Sequence, residues 1–177
     1  MGQYDFTLKF ALGRPDADPK YFLESLAKEG CDDALIGLGR TGRIALTFTR
    51  EAPSAHDAIL SALSDVKRSI PDAKLVEAGP DLLGLTDIAE LLGFSRQNMR
   101  MLMIRSGADF PSPVHEGKPS IWRLAKVLMW LKKRRAHQID ESLYEIARVS
   151  MQCNLLRDTT DLDAKLSKHL RALVTGN

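Results

Sequence analysis

Residues 37–49 read GLGRTGRIALTFT, and this stretch decides the fold of the N-terminal half. Its glycines have the spacing G-x-G-x-x-G of a dinucleotide-binding turn, which must lead into a helix whose first amide groups bind the pyrophosphate. Residues 43–49 instead alternate polar and apolar side chains, which is typical of a strand. The glycines therefore predict a hairpin tip, with Arg40 and Arg43 as solvated turn residues or as contacts to DNA or a partner.

The remainder of this half shows the same mixture of patterns. Helix caps are expected at Asp18, which precedes a proline, and at Ser54, and the second helix ends before Pro71. The predicted strands lie near residues 4–12, 34–38, 43–49 and 74–78, and the predicted helices near 21–27 and 54–70. The order βαββαβ predicts a ferredoxin-like sandwich over residues 1–79, which by itself names no function.

Positive charge is concentrated in one segment. Residues 95–135 contain ten lysines and arginines against two acids, a net charge of +8. The rest of the chain holds 15 basic and 21 acidic residues, a net charge of −6. A polyanionic partner is therefore expected at this segment. The alternative is that its helices form an ordinary bundle and the basic residues are a solvated face.

The residues that open this segment have the pattern of a helix-turn-helix. In LTDIAELLGFSRQNMR, residues 85–100, Thr86 is expected to cap a first helix, Gly93 to allow a sharp turn and Ser95 to cap a second helix. Small and apolar residues fall at the inward positions, and the methionines are expected to pack in the core. The residues that point outward at the start of the second helix, where a recognition helix meets base edges, are Ser95, Arg96, Gln97 and Arg100.

A hairpin is expected next, in which residues 110–114 pair with residues 120–122 and the tip carries His115 and Lys118. A helix from about Leu124 follows. Together they predict a wing and its supporting helix, with the wing on the phosphate backbone or at the minor groove.

These residues resemble a known family. The helix pair, FPSPV, and IWR with the later WL are similar to the winged helix-turn-helix of MerR-like regulators, most closely its phage excisionase and AlpA-like branch, over about residues 82–135. The resemblance implies DNA binding, with base contacts at Ser95, Arg96, Gln97 and Arg100 and wing contacts at Lys118 and Arg123.

The tail, residues 139–177, contains two predicted helices. Its leucines recur at helical spacing at 162, 166, 170 and 173, which favours a homodimer seam over packing of the tail on its own N-terminal domain. A two-fold protein would read a pseudo-palindromic site.

Several function classes are not expected. The two cysteines lie far apart without a partner motif, and the chain has no apolar run of membrane-spanning length and no signal-peptide pattern. We therefore expect a cytoplasmic α+β protein that is not an enzyme and has no catalytic residues, metal site or cofactor. The expected function is sequence-specific binding of double-stranded DNA, as a transcriptional regulator. The alternatives are a small-ligand-binding domain tethered to nucleic acid and an interaction module such as an autoregulating antitoxin.

Overall fold

The computed structural model describes residues 1–134 and 138–174, and in these it shows seven α-helices and a four-stranded antiparallel sheet. Strands β1 to β6 span Gly2–Ala11, Ala34–Gly37, Arg43–Ala52, Lys74–Gly79, Leu82–Gly84 and Ile121–Arg123. Helices α1 to α7 span Leu23–Lys28, Ala55–Ser69, Leu85–Leu91, Arg96–Ser106, Leu124–Arg134, Glu141–Asp158 and Ala164–Val174.

The large sheet has the strand order β2-β3-β1-β4, and every neighbouring pair is antiparallel. The predicted period-two patterns are confirmed, since β1 and β3 bury alternate residues. Phe6 and Phe48 stack with ring centroids 5.1 Å apart in the centre of the first core. On the opposite face polar side chains pair across strands, such as Lys9 with Glu77 at 2.7 Å.

The turn between β2 and β3 is the hairpin tip that the strand at residues 43–49 predicted. Gly42 has a φ of +72°, and a Cβ atom there would lie 2.5 Å from the carbonyl oxygen of Pro15. Only glycine fits this position, because it accepts positive φ and allows the close approach of the two backbones. No helix follows the glycines, so they do not form the start of a dinucleotide site.

The helix caps of this half are also confirmed. Asp18 accepts a hydrogen bond from the Lys20 amide at 2.9 Å and opens a short 3-10 turn that leads into α1. Ser54 accepts one from the Asp57 amide at 3.1 Å at the start of α2. Each cap satisfies an amide that the helix itself leaves without a partner.

The N-terminal half also contains a buried arginine that the sequence did not predict. Arg50 donates to both oxygens of Asp33, at 2.7 and 2.9 Å, to Asp65 at 2.7 Å, and to the Gly30 carbonyl at 2.6 Å. Beside it, burial raises the pKa of the Cys31 thiol to about 11. Asp33, in the turn before β2, thus neutralises a buried cation.

The long C-terminal helix α6 belongs to two hydrophobic cores at once. Ile146 is part of the first core, between the large sheet and α2. Its neighbour Ala147 is part of the second core, which is formed mainly by α3 to α5 and β6. The tail therefore packs on its own N-terminal half along α6, the arrangement that sequence reasoning placed second to dimerisation.

Near its end, α6 also covers the β4 edge of the large sheet. Buried Asn154 accepts a hydrogen bond from the Ala78 amide and donates one to the Ala78 carbonyl, both at 2.8 Å. Arg157 donates to the Val76 carbonyl. These side chains satisfy backbone groups that an edge strand otherwise leaves open.

The predicted leucine row lies on the last helix, α7, and in the final residues before it. These side chains stay exposed: Leu162 is 60% exposed, Leu166 56%, Leu170 43% and Leu173 82%. The row therefore contributes to neither core of the chain.

Candidate nucleic-acid interface

Helices α3 and α4 and the turn between them lie where their residues predict them, except that the first cap differs. Gly84, not Thr86, precedes the first helical residue, and its amide donates to Asp87 Oδ2 at 3.2 Å. Gly93 takes a φ of +69° in the turn. Ser95 caps α4 by accepting a hydrogen bond from the Asn98 amide at 3.0 Å.

The two helices are held together by small and apolar side chains. Ile88, Ala89 and Met99 are fully buried. The Phe94 amide donates to the Ala89 carbonyl at 2.8 Å, which ties the turn to α3. Leu92, Phe94 and Leu102 are half-buried against this core. The start of α4 is thereby fixed in direction by packing on one side only.

The predicted contact residues at the start of α4 lie on the opposite, solvent side. Ser95, Arg96, Gln97 and Arg100 are all exposed. Three of them, Arg96, Gln97 and Arg100, line one shallow cavity with Leu85 and Thr86, with a volume of about 420 Å³. The fold thus brings two guanidinium groups and an amide to the same patch of surface, and arginine and glutamine are suited to paired hydrogen bonds with guanine and adenine.

The segment that was expected to be a wing hairpin is paired differently from the prediction. Strand β6 pairs with β5, residues 82–84, in a two-stranded antiparallel sheet. Segment 110–114 forms no strand, and only a single bridge joins His115 to Ile121. The prolines at 111 and 113 have no amide hydrogen to donate to a strand partner, which explains the short pairing.

The tip residues His115 and Lys118 are exposed on the loop at residues 114–121. The loop folds back on itself, since Ser120 donates to the Gly117 carbonyl at 3.1 Å. The His115 ring lies against Gly117, where a Cβ atom would be 2.2 Å from Nε2. Both predicted side chains are therefore presented to solvent by an ordered turn.

Arg123, the last predicted wing contact, is placed elsewhere. Its guanidinium forms an ion pair with Asp81, and its side chain is only 13% exposed. Asp81 is itself buried and also accepts a hydrogen bond from Asn154 at 2.8 Å. Burial raises the pKa of Asp81, while the Asn154 hydrogen bond and the Arg123 charge lower it. Arg123 thus stabilises a buried carboxylate that lies where β4, β6 and α6 meet. Its side chain does not face solvent with the other predicted residues.

Most basic residues of the 95–135 segment have no acidic partner. Within residues 1–134 and 138–174, ion pairs engage Arg123, Lys132 and Arg134. No carboxylate of this described part lies within 4 Å of Arg96, Arg100, Arg105, Lys118, Lys126 or Lys133. Arg135 lies outside the described residues. The surface around α4 and the 114–121 loop therefore carries uncompensated positive charge.

Sequence reasoning missed two residues of this surface. Met101 and Ile104 on α4 are 37% and 54% exposed, whereas a core role was expected for Met101. The spacing from exposed Gln97 to both of them, four and seven residues, was the available signal.

Metal-binding clusters and membrane-spanning helices are absent from the described ranges. No group of three metal-binding side chains occurs there, and no helix there is long and apolar enough to cross a membrane. Comparison of the chain with family models, with curated proteins and with solved structures finds no match.

Proposed function

We propose that this chain is a sequence-specific double-stranded DNA-binding protein, a cytoplasmic transcriptional regulator that inserts the start of α4 into the major groove. The observation that carries the proposal is the exposed patch of Arg96, Gln97 and Arg100 at the capped start of α4, without an acidic partner in the described residues. Exposed donors at a helix start, positioned by a packed turn, match the docking of a recognition helix.

The arrangement around α4 supports a winged helix-turn-helix as the DNA-binding unit. Strand β5 precedes α3 and pairs with β6. The loop at residues 114–121, which carries Lys118, takes the place of a wing. We also propose that the N-terminal unit is a ferredoxin-like sandwich, because its four strands have the order β2-β3-β1-β4 with helices on one face. In this proposal it serves assembly or sensing.

A homodimer is the proposed state. The exposed leucines of α7 and the turn before it form a row that α6 and the large sheet leave uncovered. Pairing of two such rows would remove this apolar surface from water and place two α4 helices on one duplex.

Selection of bound fragments from a random-sequence duplex pool tests the proposal. We expect the full chain to enrich one sequence, arranged as two inverted half-sites separated by one or more helical turns. Enrichment of an unrelated mixture, with equal affinity for all duplexes, would contradict sequence-specific binding. A single half-site would contradict the dimer alone.

Lys118 is expected to act on the phosphate backbone. We predict that Lys118→Ala weakens binding to all duplexes by a similar factor and reduces the slope of log K against log salt by about 0.9, the value for one phosphate contact on B-DNA. The measurement is fluorescence anisotropy across a salt series. Lys20→Ala, an exposed lysine in the N-terminal half, is the matched control and should leave the slope unchanged.

One observation favours the second candidate, a small-ligand sensor. A cleft of about 530 Å³ lies between the polar face of the large sheet, the end of α3 and the start of α6, and its lining includes Thr7, Lys9, Leu91 and Leu143. This volume is in the range of small-molecule sites. Under this hypothesis a metabolite panel should contain a compound that raises the melting temperature, and Leu143→Trp, which fills the cleft, should abolish that shift. If no compound changes the melting temperature, the small-ligand hypothesis is contradicted.

A further inference from the structure

The outward face of α4 carries an apolar stripe. Gln97, Met101 and Ile104 are separated by four and three residues, a spacing that places them on one side of a helix. All three are exposed, while Met99 on the other side is fully buried. Ile104 is 54% exposed to solvent. Met101 and Ile104, one turn apart and next to exposed Gln97, thus form a strip of exposed apolar surface along this face.

Positive side chains border the stripe on both sides. At about 100° per residue, Arg96 and Arg100 lie along one edge of it and Arg105 along the other. None of these arginines has a carboxylate within 4 Å in the described part of the chain. A narrow apolar strip between two unpaired positive edges complements a groove that has apolar groups at its floor and phosphates on both rims.

The major groove of DNA has this character at A·T pairs, since the thymine 5-methyl group is the one apolar group that a base presents there. From Gln97 to Ile104 the helix rises about 10 Å. This length corresponds to about three base pairs at 3.4 Å each. The stripe therefore has room for one amide contact and two methyl contacts on successive bases.

We propose that Met101 and Ile104 contact thymine 5-methyl groups in the major groove and thereby select A·T base pairs next to the bases read by Gln97 and Arg100. The inference rests on the proposed DNA-binding function and adds the chemistry of the bases that the site must contain. A protein partner is the competing occupant of the same stripe, but the unpaired arginines on both edges favour a polyanion.

Replacement of thymine by deoxyuridine in the DNA tests this inference, because it removes the methyl group and leaves the base-pairing edge unchanged. The probe is the most enriched duplex from the random pool, synthesised with dTTP or with dUTP and measured by anisotropy with the full chain. We expect the dU duplex to bind about fourfold more weakly for each contacted methyl group, the effect of burying one methyl.

A matched variant separates the contact from any effect of the methyl groups on DNA shape. For Met101→Ala/Ile104→Ala, which alters exposed residues only, the dT and dU duplexes should bind equally. Leu35→Ala, at an exposed position on β2, should keep the full difference of the unaltered protein.

The outcomes distinguish this inference from the proposed function. If the full chain enriches no sequence, both fail. If the full chain binds a specific duplex but the dT and dU forms bind with equal affinity, only the methyl contact is overturned. The same holds if the double variant loses as much affinity on the change from dT to dU as the unaltered protein does. It is also overturned if the double variant binds DNA normally but changes the sedimentation of the protein, which would assign the stripe to a protein partner.

Discussion

Arg96→Ala/Arg100→Ala is expected to abolish specific DNA binding. Each arginine has the donors for a paired hydrogen bond to guanine, and one such pair discriminates by about 1–3 kcal/mol. Loss of both is therefore expected to remove the preference for the selected duplex over unrelated ones, which weakens binding to the selected duplex by about thirtyfold or more at fixed salt. Both side chains are exposed and make no ion pair with the described residues, so the melting temperature of the protein should not change.

The control removes the same charge from another place. Lys20→Ala/Lys74→Ala takes two exposed lysines from the N-terminal half. If only net charge mattered, the two double variants would lose affinity equally, for selected and for unrelated duplexes alike. Competition gel shifts with both duplexes decide the matter. Unchanged preference for the selected duplex in Arg96→Ala/Arg100→Ala would contradict the assignment of α4 as the recognition helix.

The largest loss of stability is expected for Arg123→Ala. The variant leaves the carboxylate of Asp81, a residue 1% exposed, without its cation and with Asn154 as its remaining side-chain partner. Removing one member of a buried ion pair costs about 3–5 kcal/mol of unfolding free energy. Urea unfolding measures this change. Arg134→Ala breaks an exposed ion pair with Asp109 and should cost no more than about 1 kcal/mol.

The pH dependence of the stability loss in Arg123→Ala tests whether the ionised Asp81 carboxylate is its cause. Burial already raises the pKa of Asp81 in the folded protein, and loss of the Arg123 charge raises it further. A raised pKa in the folded state favours folding when the carboxyl is protonated and opposes folding as the pH rises through that pKa. The loss of unfolding free energy caused by Arg123→Ala should therefore be largest near neutral pH and shrink towards pH 4. Asp81→Asn, added to Arg123→Ala, should restore part of the stability at pH 7. An equal loss of unfolding free energy at pH 7 and pH 4 would exclude this explanation.

The sequence predicted those features that neighbouring residues determine. The alternation of β1 and β3 depends on side chains two positions apart, and the caps at Ser54 and Ser95 depend on an amide three residues ahead. The exposed start of α4 follows from the same local rules, since its buried side is set by Met99 and its neighbours.

Features that depend on distant residues were not predictable. Strand β5 is three residues long and pairs with a partner about 40 positions away, so no local pattern marks it. The family resemblance implied a wing contact at Arg123, and nothing in the sequence links this residue to Asp81 or Asn154. The leucine spacing at residues 162–173 predicted a helix there, but it carries no information on α6, which packs on both cores.

The sharing of α6 between the two cores limits how freely the parts of this chain can be recombined. A fragment of residues 82–135 would lose Ala147 from its core and both Asp81 and Asn154 from the environment of Arg123. Fusion of such a fragment to another protein would therefore expose apolar surface and an unpaired cation at the cut. Any insertion or truncation that shifts α6 along its axis would disturb both hydrophobic cores together, so neither half can be altered at this helix without an effect on the other.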